Sequence, residues 1–361
     1  MRKNFHLIIY IVLAATVAAC TDSIGSFGDD STADRKRIEL TSDIEQLAAT
    51  RVNDNGFVDG DEMGVYIVDY NGSVPGILST SGNRGDNMRH TFDEANNKWT
   101  SAYDVFWKDK HTHIDVYGYY PFGNPESIEE YAFTVQRDQS KPTEGGTMGG
   151  YEASDFLWGK AEDVAPTTSV VRLSMYHRMA NARVTLVEGS GFDDGEWAAT
   201  EKQVTVANVV REASINLADG TVTKNGGVEK KATIPARVGD EWRAIVVPQT
   251  VAATATLFSI TIDGIPYKFS KNEAFTYLAG KMSNFAIRVD KKNESGKYSL
   301  TIVSESITAW ENDLVSHDAT AKEYVVINST AGHLKEAIAA AGKDYIKVKN
   351  LKITGQINTK D

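Results

Sequence analysis

From Glu62 onward, apolar side chains recur at every second position in one short run after another. In EMGVYIVDY (62–70), Met63, Val65 and Ile67 fall on one side and Tyr66, Val68 and Tyr70 on the other. In HIDVYGYYPF, Ile114 and Val116 alternate with Asp115 and Tyr117, and in VVRLSMYHRM, Val171, Leu173 and Met175 share a face opposite Arg172 and Ser174. Only an extended, pleated backbone sorts a two-residue period onto two faces, so each run reads as a half-buried strand. The intervening residues suit tight reversals. Asp263-Gly264 separates Phe258, Ile260 and Ile262 from Ile265, Tyr267 and Phe269, which is the chemistry of a type I′ hairpin turn, and Asp219-Gly220 repeats the arrangement. With 15 Tyr, 13 Phe and 29 Gly, the chain favours strands and turns over helix bundles. The expected fold is all-β, built of antiparallel β-sandwiches.

The amino terminus follows a different rule. Arg2 and Lys3 precede an apolar run from Leu7 to Ala19, too short for a membrane-spanning helix but of the length of a signal-peptide core. Small residues then lead to Cys20, the one cysteine of 361 residues, and Val17-Ala18-Ala19-Cys20 resembles a bacterial lipobox. That resemblance implies cleavage before Cys20 and acylation of its thiol (diacylglycerol, with palmitate among the chains), giving residues 1–19 as signal peptide. The partner of such a thiol is outer-membrane lipid, and several acyl chains at roughly 0.8 kcal/mol per buried CH₂ hold firmly. The polar stretch that follows has little to bury and is expected to be a flexible tether over 20–37. It ends in Arg35, Lys36 and Arg37, within reach of a trypsin-like protease. The net charge of −11 without a basic block is a poor basis for nucleic-acid binding, and no nucleic-acid partner is expected.

The order of the runs carries more than any one of them. GDEMGVYIVDY, HIDVYGYYPF, SDFLWGKAEDV and VVRLSMYHRMANARVTL, then AIVVPQT, LFSITIDGIPYKF, LAGKMSNFAIRVDKK and ITAWEND, resemble the fimbrillin-like family in sequence over about residues 38–313. The resemblance implies two tandem β-sandwiches of transthyretin-like topology, here 38–190 and 191–322, in a lipoprotein displayed on the outer surface of a Gram-negative anaerobe. It implies a fimbrial (pilus) subunit or adhesin, not an enzyme, that joins other pilus subunits by strand addition. Host or bacterial surface ligands are further partners it allows. In shaft subunits an arginine-specific protease removes the first strand, which makes Arg35, Arg37 and Arg51 the candidate processing sites.

Residues 323–361 change character. An alanine-rich stretch has Ser329 or Thr330 to cap a helix and Gly342 to stop it. LKITGQINTKD then resembles the start of a leucine-rich repeat, with Leu351, Ile353 and Ile357 pointing inward and Gly355 at a bend. One repeat buries little alone, so the segment is either the cap of a truncated array or an accidental likeness, and its departure from the shaft pattern favours an anchored adhesin over a polymerising shaft.

Other chemistry is sparse, and no cofactor is expected. Asp109, His111, His113 and Asp115 would share one face of a strand, which is sterically right for a metal, although a solvated charged face is the reading the spacing favours. His177 falls on the apolar face of its strand. Trp99, Trp107, Trp158, Trp197 and Trp242 are available to stack on sugars if exposed, which keeps open a carbohydrate-binding lipoprotein of a glycan uptake system.

Overall fold

The structure is a computed structural model and describes residues 36–44, 56–226, 231–292, 297–310, 325–329, 331–340, 351–355 and 358. In chain order its strands are β1 (Leu40–Ile44), β2 (Glu62–Asp69), β3 (Gly85–Asp93), β4 (Lys98–Ser101), β5 (Ile114–Tyr120), β6 (Tyr131–Thr134), β7 (Leu157–Val164), β8 (Val171–His177), β9 (Ala180–Glu188), β10 (Lys202–Val209), β11 (Glu212–Asn216) and β12 (Thr221–Lys224). There follow β13 (Lys231–Thr233), β14 (Ala236–Val238), β15 (Glu241–Val246), β16 (Gln249–Val251), β17 (Thr256–Ile262), β18 (Ile265–Ser270), β19 (Phe275–Tyr277), β20 (Lys281–Lys291), β21 (Tyr298–Ala309), β22 (Val325–Ser329) and β23 (Leu351–Gly355). Two short helices, α1 (Glu196–Ala199) and α2 (Leu334–Ala340), interrupt them. The chain is all-β, as its periodicity requires.

The amino-terminal unit is a seven-stranded sheet in the order β1-β8-β7-β5-β2-β3-β4. The carboxy-terminal unit stacks a five-stranded sheet, β14-β15-β9-β20-β21, on a four-stranded one, β13-β10-β17-β18, around Val204, Val206, Phe258, Ile260, Phe285 and Ile287. Most pairs are antiparallel, but β1 runs parallel to β8 and β9 parallel to β20. Two strands cross the expected division at 190/191. β9 lies before it yet pairs with β15 and β20, and β6 pairs with β11.

The central strands depart from the half-buried reading. All seven residues of β5 are buried, and so are the six inner residues of β2. Met63, Val65, Ile67, Ile114 and Val116 enter one core layer, while Tyr66, Val68, Tyr117 and Tyr119 enter a second on the opposite face. That second layer also takes Ala213 and Ile215 of β11, Ile245, and Trp310, so residues from beyond 190 cover the far face of the first sheet. The Asp263-Gly264 hairpin forms as expected, with Ile262 opposite Ile265, and β11–β12 close around Asp219-Gly220 with Asn216 opposite Thr221.

At the carboxy end β22 and β23 pair in parallel with α2 between them. The helix begins at Leu334, and Ser329 is the last residue of a strand, so Ser329 does not cap it. The inward direction expected of Leu351, Ile353 and Ile357 lies outside the described residues.

Candidate functional site: the first strand and its groove

The segment 36–44 is too short to hold itself and is fixed by what surrounds it. Lys36 Nζ donates to the carbonyls of Pro166, Thr167 and Thr168 at 3.1, 3.0 and 2.6 Å. The Ile38 amide donates to the Val105 carbonyl (2.8 Å), and the Trp107 amide to the Lys36 carbonyl (3.0 Å). The β1 ladder then runs from Leu40 opposite Val171 to Ile44 opposite Met175. Every second side chain, Ile38, Leu40, Ser42 and Ile44, is buried. Burying three branched apolar side chains at about 1.5–3 kcal/mol each ties the strand down by roughly 5–9 kcal/mol.

The opposite end of the sheet curls round to meet it. Trp99 of β4 is 3 % exposed and donates its indole N–H to the buried Ser42 hydroxyl at 2.6 Å. Its ring packs edge-on against Phe57 (4.8 Å) and tilted against Phe92 (5.1 Å). The seam between β1 and β4 is thus joined by side chains, and among the described residues backbone pairing holds β1 to β8 alone. Beside the seam, Asp61 accepts the Val58 amide (2.7 Å) and the Tyr120 hydroxyl (3.1 Å). Burial pushes its carboxyl up to about 6 against these bonds.

The candidate processing sites separate. Arg35 and Arg51 lie outside the described residues, as does Cys20. Arg37, expected in the flexible tether, is instead bridged to Phe106 and ion-paired with Asp104 at 3.1 Å, because the strand's hydrogen bonding begins at Lys36.

The four metal candidates do not share a strand face, because β5 begins only at Ile114. Asp109 closes a turn, accepting the His111 and Thr112 amides at 2.7 and 2.6 Å and the Thr112 hydroxyl at 2.7 Å, and these bonds lower its carboxyl to about 2. His113 meets Asp163 at 2.7 Å. Asp115 is 1 % exposed and already neutralised by Lys160 at 3.0 Å. Burial works against the Lys160 charge, but bonds to Glu162 and Asp115 outweigh it and hold the amine above its usual range, so an added cation there would meet a fixed positive charge. Among the described residues no group of three or more His, Cys, Asp or Glu is placed to hold a metal. His177 is buried, bonded to Asp155 (2.8 Å) and stacked on Trp310 (4.0 Å). Trp99, Trp107, Trp158, Trp197 and Trp242 are all buried in the cores, so none offers a face to a sugar.

Among the described residues no helix is long and apolar enough to cross a membrane. The sequence matches the family described as fimbrillin-like over residues 50–310. The chain belongs to the fimbrillin-like family. No curated protein matches it in sequence. Among solved structures it is similar to a candidate cell adhesion protein of Bacteroides uniformis, with 17% identity, 78% of this chain and 100% of that one covered, and a TM-score of 0.55. A candidate cell adhesion protein of Bacteroides ovatus gives 14% identity, 76% and 98% coverage, and a TM-score of 0.53. The tip fimbrial protein Mfa3 of Porphyromonas gingivalis, with a C-terminal truncation, gives 9% identity, 76% and 98% coverage, and a TM-score of 0.43. At such identities the likeness shows the fold alone. The family match ends at residue 310, and none of these comparisons supports a leucine-rich repeat beyond it.

Sequence reasoning named Trp99 only as a sugar-stacking residue and missed its bond to Ser42. Its partner Ser42 is far away along the chain, and the only signal was a polar residue at an inward position of RIELTSDI.

Proposed function

We propose that this fimbrillin-like chain is a fimbrial subunit or adhesin of the cell surface whose amino-terminal unit exchanges β1 for a strand of another subunit. The observation that carries the reading is β1 itself. Its Leu40, Ser42 and Ile44 fill the core, yet among the described residues the Leu40–Ile44 backbone pairs on one edge only, with a strand distant in sequence. A strand held in that way can be replaced by another of the same pattern once the chain is cut, since main-chain bonds are generic and alternate side chains set the fit. The cut is placed at Arg51, between β1 and β2. Lipid acylation of Cys20 after removal of 1–19 would deliver the chain to the outer membrane and its outer surface. Two tandem sandwiches divided near residue 190, with β9 built into the second, would form the body, with surface ligands of host or bacterial origin as further partners.

The test is expression of the full chain in a Gram-negative host, followed by an arginine-specific protease. Wild type should form higher oligomers after cleavage, Arg51→Ala should stay monomeric, and Cys20→Ala should polymerise but leave the membrane fraction. Equal oligomers from the Arg51→Ala chain would sink the strand-release reading.

A further inference from the structure

Alternation of inward and outward side chains fixes the parity of a strand but not its register. A slip by one residue turns every side chain to the wrong face, whereas a slip by two restores the pattern. The β1 groove contains one feature that tells these positions apart. Three of its inward residues, Ile38, Leu40 and Ile44, are apolar, and the fourth, Ser42, accepts the indole N–H of Trp99 at 2.6 Å. Trp99 is held between Phe57 and Phe92, so its N–H cannot turn away to water. If a strand slips by two residues, Leu40 or Ile44 comes opposite that N–H and leaves it buried without an acceptor. Such an orphaned donor costs about 1–3 kcal/mol.

We propose that Trp99 sets the register of any strand that occupies this groove. The occupant is an extended segment of another subunit with apolar side chains at the first, second and fourth inward positions. At the third it carries a small oxygen acceptor, Ser or Thr. The resident β1 is the template for that chemistry. The site is fixed in space, so for a strand running antiparallel to β8 the acceptor would fall at the second inward position along its own chain instead of the third. The proposal rests on the strand-exchange reading above, and it adds to that reading a specific, position-dependent selection rule.

The experiment uses the full chain cleaved with an arginine-specific protease, which is then inhibited. Fluorescent peptides of residues 38–46 are titrated in and followed by anisotropy: the resident sequence, Ser42→Thr, Ser42→Ala and Ser42→Val. The resident and Ser42→Thr peptides should bind alike, with Ser42→Ala and Ser42→Val about tenfold weaker or worse. On a Trp99→Phe chain, which keeps an aromatic ring but no donor, the resident and Ser42→Ala peptides should bind equally. Equal capture of resident and Ser42→Ala peptides by wild type overturns the Trp99 rule while leaving strand exchange intact. No capture of the resident peptide overturns strand exchange and the rule with it. Should Trp99→Phe fold poorly, the four peptides on wild type still decide the question.

Discussion

β1 and β21 are both end strands, and they are held in opposite ways. β21 runs for 12 residues beside β20, its immediate predecessor in sequence, and is exposed from Thr301 to Ser306 and on to Thr308. β1 has five residues, pairs with β8 across most of the amino-terminal unit, and turns its alternate side chains into the core. β21 is attached locally and contributes little to packing along its exposed stretch. β1 is attached only through tertiary contacts and contributes much. A strand on a short hairpin returns to its own neighbour when it detaches, because the effective concentration of its partner is high. A strand without such a hairpin can be supplanted. On the strand-exchange reading, the element to be exchanged is the more buried of the two.

The largest test of that contrast is truncation on each edge. Leu40 is 6 % exposed and Val303 is 49 % exposed. Leu40→Ala should cost about 2–5 kcal/mol in urea unfolding, whereas Val303→Ala should stay within about 0.5 kcal/mol. A Leu40→Ala cost below about 1 kcal/mol would break the comparison.

A smaller effect is pH-dependent and belongs to the β1 side. The Asp61 carboxyl is raised to about 6 from 3.8. The folded state therefore holds a proton that the unfolded state has lost between these values. The sign follows: this group's contribution is full below pH 4 and is lost as pH rises through 6. Asp61→Asn should flatten that loss. Melting curves should show the variant gaining on wild type between pH 4 and 7, by at most about 3 kcal/mol. A constant difference across that range would rule the assignment out.

The smallest effect sharpens the local side of the contrast. In the β17–β18 turn Asp263 and Gly264 have φ of 47° and 76°, with open space where a Gly264 Cβ would lie. Gly264→Ala should therefore cost only conformational strain, about 1 kcal/mol, read as a shift in the denaturation midpoint. It should not change the oligomers formed after cleavage, because the hairpin is not exchanged.

These cases also mark what the sequence could disclose. The Asp263-Gly264 hairpin was legible down to its register, because the turn and both alternating runs are contiguous. So was the inward face of β8. The partners of β1, β6 and β9 were not, since a two-residue period identifies a strand without saying which strand it joins. The double burial of β2 and β5 was hidden because Tyr66, Tyr117 and Tyr119 read equally well as amphipathic surface. Trp99 and Ser42 meet only after the sheet has curled, and the spread of Asp109 to Asp115 over a turn and a strand start undid an apparent metal face.

The direction of β1 has a mechanical consequence. A pull on the chain ahead of Lys36 acts along the strand, against a neighbour that points the same way and is continuous with the rest of the sheet. The load falls on the Lys36 contacts and on the whole β1 ladder together, in shear, instead of opening one pair after another as a zipper. A chain pulled from its amino-terminal side would therefore resist abrupt force well while it is whole. The same geometry would pass the tension straight into whichever strand later takes the place of β1.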